Sequence, residues 1–448
     1  MCGLCAGLEV DYSCRQCGRA GRPYGHGRCA YCVLADRVRT LLTGPDGRVA
    51  GQLEPLAAAL NATDSPFNQI VWITGSASAR LLAKLVGRGE TLTHDLLDDL
   101  PLDRNVHYVR QLLVHSGALP ERNEDLERLP RWLEDKLADV PADHANLVRP
   151  FAHWHLLRRA RVRAASRKHP AATGSVLRRR VTVALNFLAW LDARQIPLGH
   201  LQQDDLDRWL EADNRSTHYE IRYFLKWAGA RRLTRQLTVP IIPAAEPTDL
   251  LDDCERWDLV RECLTEDTKP IDVRAAGTLI LLFGLTLERI RHLTADQITQ
   301  DDEHTYLAVG RHPILLPPRL ARLLLCLAAE PGGQPPTIAH GLRGPHHLFP
   351  GRVPGQPISA SALSIRLTSN GITARRARNT ALISLATDLP AAILADLLGM
   401  HIHTAIRWTT YGQHNWSRYL SVRDADQAAT ALVEPNTEAP DETKEGRA

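Results

Sequence analysis

The chain has 448 residues, of which 44% are hydrophobic and 23% charged, so it can form two to four domains with ordinary cores. Its longest nearly apolar run, Ala275 to Leu287, has 13 residues. That is short of the roughly 18 needed to cross a membrane and indicates a buried helix. The formal net charge is +3, and the first residues contain no apolar signal core, so we expect a cytoplasmic protein with reduced cysteines.

The N-terminal segment 1–33 is rich in cysteine and predicts a zinc-binding module. Six of the nine cysteines lie within the first 32 residues, as three Cys-x2-Cys pairs. Two such pairs satisfy tetrahedral zinc, whereas a redox motif would need a βαβ context and disulfides an export route. The most economical site joins Cys14/Cys17 with Cys29/Cys32, and which pairs share an ion stays open. The candidate ligands are Cys14, Cys17, Cys29 and Cys32, with Cys2, Cys5 and His26 as further candidates.

Residues 34–150 carry helical patterns and no catalytic motif. Apolar residues at helical spacing predict helices at Leu34–Leu42, Leu53–Leu60, Ala77–Leu85 and Arg131–Val140. Pro130 suits the first position of the last of these helices. We therefore assign 34–150 to a helical adaptor of unknown role.

Residues 151–240 are strongly basic. They contain 15 Arg and 2 Lys against 7 acidic residues, a net charge of +10, so the rest of the chain is at −7. Helices are predicted at Val176–Leu191, Asp204–Leu210 and Tyr219–Trp227. Each Lys or Arg on a phosphate releases a counterion, so this density predicts a polyanionic partner. The candidate DNA contacts are Arg158, Arg159, Arg161, Arg163, Arg167, Lys168, Arg178, Arg179 and Arg180.

A proline-containing linker, 239–247, precedes a third helical region. A core helix is predicted at Asp272–Leu287, and Thr294 to Gln297 fits a capping box. Thr305–Val309 and Pro313–Leu316 predict a β-hairpin, and 332–357 a Gly/Pro-rich loop. Two further helices are predicted at Ala374–Ala386 and Ala391–Leu398. The polar segment 431–448 is predicted to be a disordered tail.

Several sequence segments between residues 151 and 425, a range that covers about 60% of the chain, resemble the tyrosine recombinase (phage integrase) family. Phe187–Leu191, Asp204–Leu210 and Phe224–Ala228 resemble its core-binding domain. Four later segments resemble, in the same order, successive parts of its catalytic domain. They are Leu281–Ile298, the hairpin near Arg311, Arg378–Thr380 and Leu397–Gly399. The resemblance implies a mainly α fold, with a helical core-binding (SAM-like) domain at 151–240 and an α-rich catalytic-like domain with a small β-sheet at 248–430.

The family's chemistry, which the resemblance implies, is strand transfer on double-stranded DNA. A Tyr hydroxyl attacks the scissile phosphate, two arginines clamp its oxygens, and a hairpin Lys protonates the leaving 5′-oxygen. The cysteine pairs predict structural zinc. The resemblance implies no nucleotide or redox cofactor, no small-molecule substrate and no membrane. It implies a nucleoid-associated protein, and a homo-oligomer on DNA is one alternative for its assembly.

This sequence departs from the family's catalytic set. Thr286 stands where the first arginine is expected, with Arg289 one helical turn later. Arg311 or His312 replaces the hairpin lysine, and arginine is a poor proton donor. The remaining departures are Arg375 and Met400 at the two His positions and Thr409 at the nucleophile spacing, with Tyr411 two residues beyond and Tyr419 farther on. The candidate catalytic residues are therefore Arg378, Tyr411, Arg289, Arg311 and His401.

Three functions fit these residues. The leading interpretation is a recombinase-like DNA-binding protein of DNA integration and recombination, with catalysis weakened or lost. The first alternative is an active site-specific recombinase that cleaves DNA through Tyr411. The second is a zinc-module scaffold for protein interactions, against which the basic stretch Arg158–Arg180 argues.

Overall fold

The structure is a computed structural model, and it describes residues 7, 12–20, 23–63, 65–101, 103–166, 173–212, 217–241, 245–329 and 346–413. These residues are mainly helical, with one small three-stranded antiparallel sheet, as predicted. They form two compact units. The first holds the described residues up to Leu119 and from Glu246 onward, and the second holds Pro120–Ala245. Among the described residues, no helix is long and apolar enough to cross a membrane.

The first part of the larger unit is a helical cluster with its own apolar core, which includes Leu42, Leu56, Leu82 and Leu112. Cys29 precedes the first helix directly, so the cysteine segment leads straight into this core. The helices are α1 Ala30–Leu42, α2 Glu54–Asn61, α3 Pro66–Gly75, α4 Ala77–Val86, α5 His94–Asp98 and α6 Arg104–His115.

An ion pair with a buried arginine connects α5 to α6. The Arg110 side chain is 1% exposed, and its Nη2 lies 2.7 Å from Asp98 Oδ1. Replacing Asp98 with alanine is expected to lower the free energy of unfolding by about 3 kcal/mol, because the buried guanidinium would lose its carboxylate. Chemical denaturation followed by circular dichroism measures the change. The matched control is Asp258→Ala, which breaks an exposed pair with Arg261 and should cost less than about 1 kcal/mol. Equal losses in the two variants would contradict this assignment.

The smaller unit is a helical bundle around one core. Leu129, Leu133 and Val148 share this core with Leu188 and Phe224, so part of the sequence predicted as adaptor packs with the basic segment. A π-helix, Phe151–Leu157, separates two α-helices. The α-helices are α7 Glu124–Glu127, α8 Leu129–Leu137, α9 Ala142–Pro150, α10 Arg158–Ser166, α11 Thr173–Asp192, α12 Gln203–Ala212 and α13 Arg222–Ala230.

The second part of the larger unit surrounds one buried helix, α15 (Ile271–Phe283), and carries the sheet. Strand β1 pairs with β2, which pairs with β3, both antiparallel, and Leu307 lies opposite Ile314. A last helical segment covers 402–413. The elements are α14 Asp253–Thr265, α15 Ile271–Phe283, α16 Leu287–Arg291, β1 Ile298–Gln300, β2 Thr305–Leu307, β3 Ile314–Leu315, α17 Pro318–Ala329, α18 Ala360–Thr368, α19 Ala374–Asp388 and α20 Ala391–Leu398.

The predicted β-hairpin is confirmed, and so is the capping box of Thr294 with Gln297. The predicted helix Asp272–Leu287 is wrong at its C-terminal end. There Gly284 adopts a left-handed φ of +60°, which ends α15 at Phe283, and Thr286 is the N-cap of the next helix, α16. The predicted tail, 431–448, lies outside the described residues.

Candidate functional site

The structure brings four of the six N-terminal cysteines together. The sulfur atoms of Cys14, Cys17, Cys29 and Cys32 all lie within 4.8 Å of one another. Cys14 Sγ is 3.8 Å from Cys32 Sγ, and Cys17 Sγ is 3.7 Å from Cys29 Sγ. A tetrahedron with zinc–sulfur bonds of about 2.3 Å has sulfur–sulfur edges of about 3.8 Å. The cluster therefore has the size of a structural zinc site, and no pair among these four is a disulfide.

Local backbone geometry explains how the cluster forms. Gly18 N–H donates to the Cys14 carbonyl at 2.8 Å, which closes a tight turn around the first pair. Cys29 is the N-cap of α1, so Cys32 sits in its first turn. The Cys29 N–H donates to Cys14 Sγ at 3.2 Å and lowers the pKa of that thiol to about 6.

The cluster favours a cation. Burial and the neighbouring thiols raise the pKa of Cys32 to about 12, so four thiolates can coexist only around a positive ion. His26 is exposed and does not belong to the group. Cys2 and Cys5 lie outside the described residues.

A concave basic surface lies on the smaller unit. Arg158, Arg159, Arg163 and Arg180 line one pocket of about 670 Å³, together with Trp154 and other side chains. The first three arginines are exposed and project from α10. We call this the arginine pocket. It concentrates positive charge on one face, which suits a chain of phosphates.

Four of the predicted DNA contacts, Arg180 of the pocket among them, are engaged by other side chains of the unit. Arg161 Nη2 lies 2.9 Å from Glu127, and Arg179 and Arg180 lie 3.2 and 2.7 Å from the two oxygens of Glu220. Arg178 packs over the Trp132 ring, 5.7 Å from its centroid. Arg167 and Lys168 lie outside the described residues. In the pocket, Arg159 Nη1 lies 3.4 Å from His155 Nε2, and the Arg163 Nε–H donates to the Arg159 carbonyl at 3.2 Å. The exposed guanidinium groups of α10 that line the pocket are the candidates for phosphate contacts.

Arg289 lies where the hairpin meets the end of α20. Its Nη1 donates to the carbonyls of Leu398, at 2.6 Å, and Gly399, at 3.1 Å, and its Nη2 donates to that of Val309. These bonds use three of the five guanidinium N–H donors. The cation also offsets the negative end of the α20 dipole. Burial lowers the pKa of Arg289.

The hairpin backbone approaches α20 very closely at Gly310. A Cβ added there would lie 2.0 Å from the Asp396 carbonyl oxygen, so only glycine fits. The next residue, Arg311, donates its N–H to the same carbonyl at 2.8 Å. Its side chain is 76% exposed and lies 3.9 Å from Asp396 Oδ1. The Arg311 guanidinium thus faces the Asp396 carboxylate, which lowers the positive charge at the hairpin.

Arg378, Trp408 and Tyr411 form a second cluster in this part of the unit. The Arg378 guanidinium carbon lies 5.6 Å from the Trp408 ring centroid. Tyr411 packs edge-on against the same ring, with centroids 5.7 Å apart, and is 9% exposed within the core. Arg378 Nε is buried without a hydrogen-bond partner among the described residues, and burial, then Arg407, lowers the pKa of Arg378.

The last catalytic candidate, His401, and the two substituted positions, Thr286 and Thr409, lie outside the buried core. His401 is exposed at the start of the last helical segment, stacked 5.1 Å from His403, and its Nδ1 accepts the His403 N–H at 3.3 Å. Thr286 caps α16, accepting the Arg289 N–H at 3.2 Å. Thr409 Oγ1 donates to a carbonyl of its own helix. Tyr419 lies outside the described residues.

Sequence reasoning missed Trp154 and Trp408. Trp408 precedes Tyr411 by three residues, a spacing that puts the two on one helix face and could have identified the pair. Trp154 stands four residues before Arg158, at the start of the basic stretch. This spacing also places the two side chains on one helix face and could have identified Trp154.

No protein-family model and no curated protein matches the chain. Among solved structures, a post-cleavage complex of the XerH site-specific recombinase bound to palindromic difH substrate is similar over 68% of this chain and 98% of its own, with 13% identity and a TM-score of 0.44. The Tn1549 transposon integrase in complex with circular intermediate DNA is similar over 58% and 94%, with 15% identity and a TM-score of 0.39. The XerA recombinase is similar over 61% and 98%, with 12% identity and a TM-score of 0.29.

Proposed function

We propose that the chain is a double-stranded-DNA-binding protein of tyrosine recombinase type, with a zinc-stabilised N-terminal module, in which strand cleavage is lost. The observation that carries the proposal is the arginine pocket, where Arg158, Arg159, Arg163 and Arg180 line one concave surface. Planar guanidinium forks match phosphate geometry, and their charge is permanent. A nucleoid-associated location goes with this function.

Loss of cleavage is supported by the state of the candidate cations. Stabilising the transition state of a phosphodiester attack needs positive charge on both sides of the phosphate oxygens. Thr286 carries no charge, and Arg289 is committed to three carbonyls. Arg311 cannot readily protonate a leaving oxygen.

The runner-up is an active recombinase, and the Arg378–Trp408–Tyr411 cluster favours it. In that reaction Tyr411 Oη would bond to phosphorus, and the 5′-oxygen would leave with a proton. The buried position of Tyr411 speaks against it, because the nucleophile would have to leave the core to reach a phosphate.

Strand cleavage is tested with a DNA substrate that carries a nick beside the candidate site, so that any covalent intermediate is trapped. We expect no covalent protein–DNA adduct on a denaturing gel, with DNA that the protein binds in a parallel assay. An adduct that disappears in Tyr411→Phe would establish the runner-up. An adduct that persists in Tyr411→Phe and disappears in Tyr419→Phe would assign the nucleophile to Tyr419.

A further inference from the structure

Two large apolar side chains of the arginine pocket are exposed. Trp154 is 64% exposed and Val162 is 66% exposed. Trp209 and Trp227, in the same unit, are each 3% exposed. Trp154, Arg158 and Val162 recur at intervals of four residues, so an aromatic ring, a cation and an aliphatic group follow one another along the pocket wall. A surface that bound only phosphates would not need the apolar groups.

The π-helix holds Trp154 in this position. Pro150 has no N–H and ends α9, and the Arg158 N–H then bonds to the His153 carbonyl, five residues earlier. The opposite side of the segment is fixed in the core, where Phe151 meets Phe224 edge-on at 5.3 Å. π-Helical segments are rare and are frequent at functional sites where they occur.

A second part of the pocket wall is a stacked cation. The Arg180 guanidinium carbon lies 3.4 Å from the Tyr223 ring centroid, and Glu220 fixes its Nε at 2.7 Å. His155 also lines the pocket, and burial, then Arg159, lowers its pKa. The pocket thus combines planar surfaces with exposed cations at its edge.

We propose that the arginine pocket holds an unpaired base of a DNA strand, stacked on Trp154, while Arg158 and Arg159 contact the flanking phosphates. Every base has a π-face, so such a site is tolerant of sequence, and the arginines recognise the backbone on either side. The inference rests on the proposed DNA binding. It adds that the apolar part of the pocket receives a nucleobase.

The test compares two fluorescently labelled strands with equal numbers of phosphates, a thymidine oligonucleotide and an abasic strand, titrated with the full chain. We expect the thymidine strand to bind roughly 5- to 150-fold more tightly, as one base–aromatic stack provides. Trp154→Ala should remove this preference by weakening only the thymidine strand, and Trp154→Phe should retain most of it. Trp257→Ala is the matched control, since Trp257 is 52% exposed beside Arg256 but lies in the other unit.

The outcomes separate this inference from the function on which it rests. Equal binding of both strands by the wild type, or equal weakening of both strands in Trp154→Ala, would overturn the base site and leave DNA binding in place. Absence of binding to these strands and to a paired duplex would overturn the proposed function as well. The circular dichroism spectrum of Trp154→Phe checks that the unit folds.

Discussion

Replacing Cys14 and Cys29 together by serine is expected to abolish zinc binding and to unfold the cysteine segment ahead of α1. Each substitution removes one thiolate from a four-sulfur set whose spacings of 3.7 and 3.8 Å fit one ion. Structural zinc supplies about 10–16 kcal/mol of binding energy in small zinc domains, so the segment has no comparable replacement. Metal analysis of the purified protein and limited proteolysis measure the effect.

The control is Cys254→Ser with Cys326→Ser, two exposed cysteines outside the cluster that should leave the zinc content unchanged. Stoichiometric zinc in the Cys14/Cys29 double variant would place the ion elsewhere, for example on Cys2 and Cys5. Zinc-free wild-type protein would refute the metal site itself.

Affinity for duplex DNA is expected to fall roughly 10³- to 10⁵-fold between 50 and 200 mM salt, if six to ten phosphates are contacted. Replacing Arg158 and Arg159 with glutamine should flatten the slope of log Kd against log salt by about two units, because each contact contributes about 0.9. Both side chains are exposed and line the same pocket. Anisotropy titrations at several salt concentrations measure the slope.

Two comparison variants sharpen this result. Arg178, Arg179 and Arg180, replaced together, should flatten the slope by less than three units, because Trp132 and Glu220 already engage them. Arg261→Gln, on the larger unit, should not change the slope. If the Arg178/Arg179/Arg180 triple variant flattened the slope and the Arg158/Arg159 double variant did not, the phosphates would lie on α11.

Local patterns predicted much of the fold. The amphipathic spacing of α4 and α11, the capping box at Thr294 and the β2–β3 hairpin depend on neighbours in the sequence, and the structure confirms them. The end of α15 was missed because apolar spacing continues through Gly284, whereas its backbone conformation stops the helix. The strand β1 was missed because three residues carry too little pattern.

The candidate sites were predictable to different degrees. The cysteine cluster follows from spacing, since the pairs bring their own turns. The contacts of Arg179 and Arg180 with Glu220 join residues about 40 positions apart in the sequence, and the hydrogen bond from Arg289 to Gly399 joins residues 110 positions apart. A local sequence pattern cannot predict contacts over such separations. Pro150 marks the end of α9 in the sequence, whereas the contact of Phe151 with Phe224, which holds the π-helical segment in the core, is a property of the folded chain.

The proposal that DNA lies on the arginine pocket predicts that bound DNA protects the pocket arginines from chemical modification. The full chain is treated with an arginine-directed dicarbonyl reagent with and without saturating duplex DNA, and labelling is measured by peptide mass spectrometry. We expect DNA to protect Arg158, Arg159 and Arg163, while Arg261 reacts equally in both samples. Equal labelling of the three pocket arginines, with protection at Arg311 instead, would contradict the claim and move the interface to the hairpin of the larger unit.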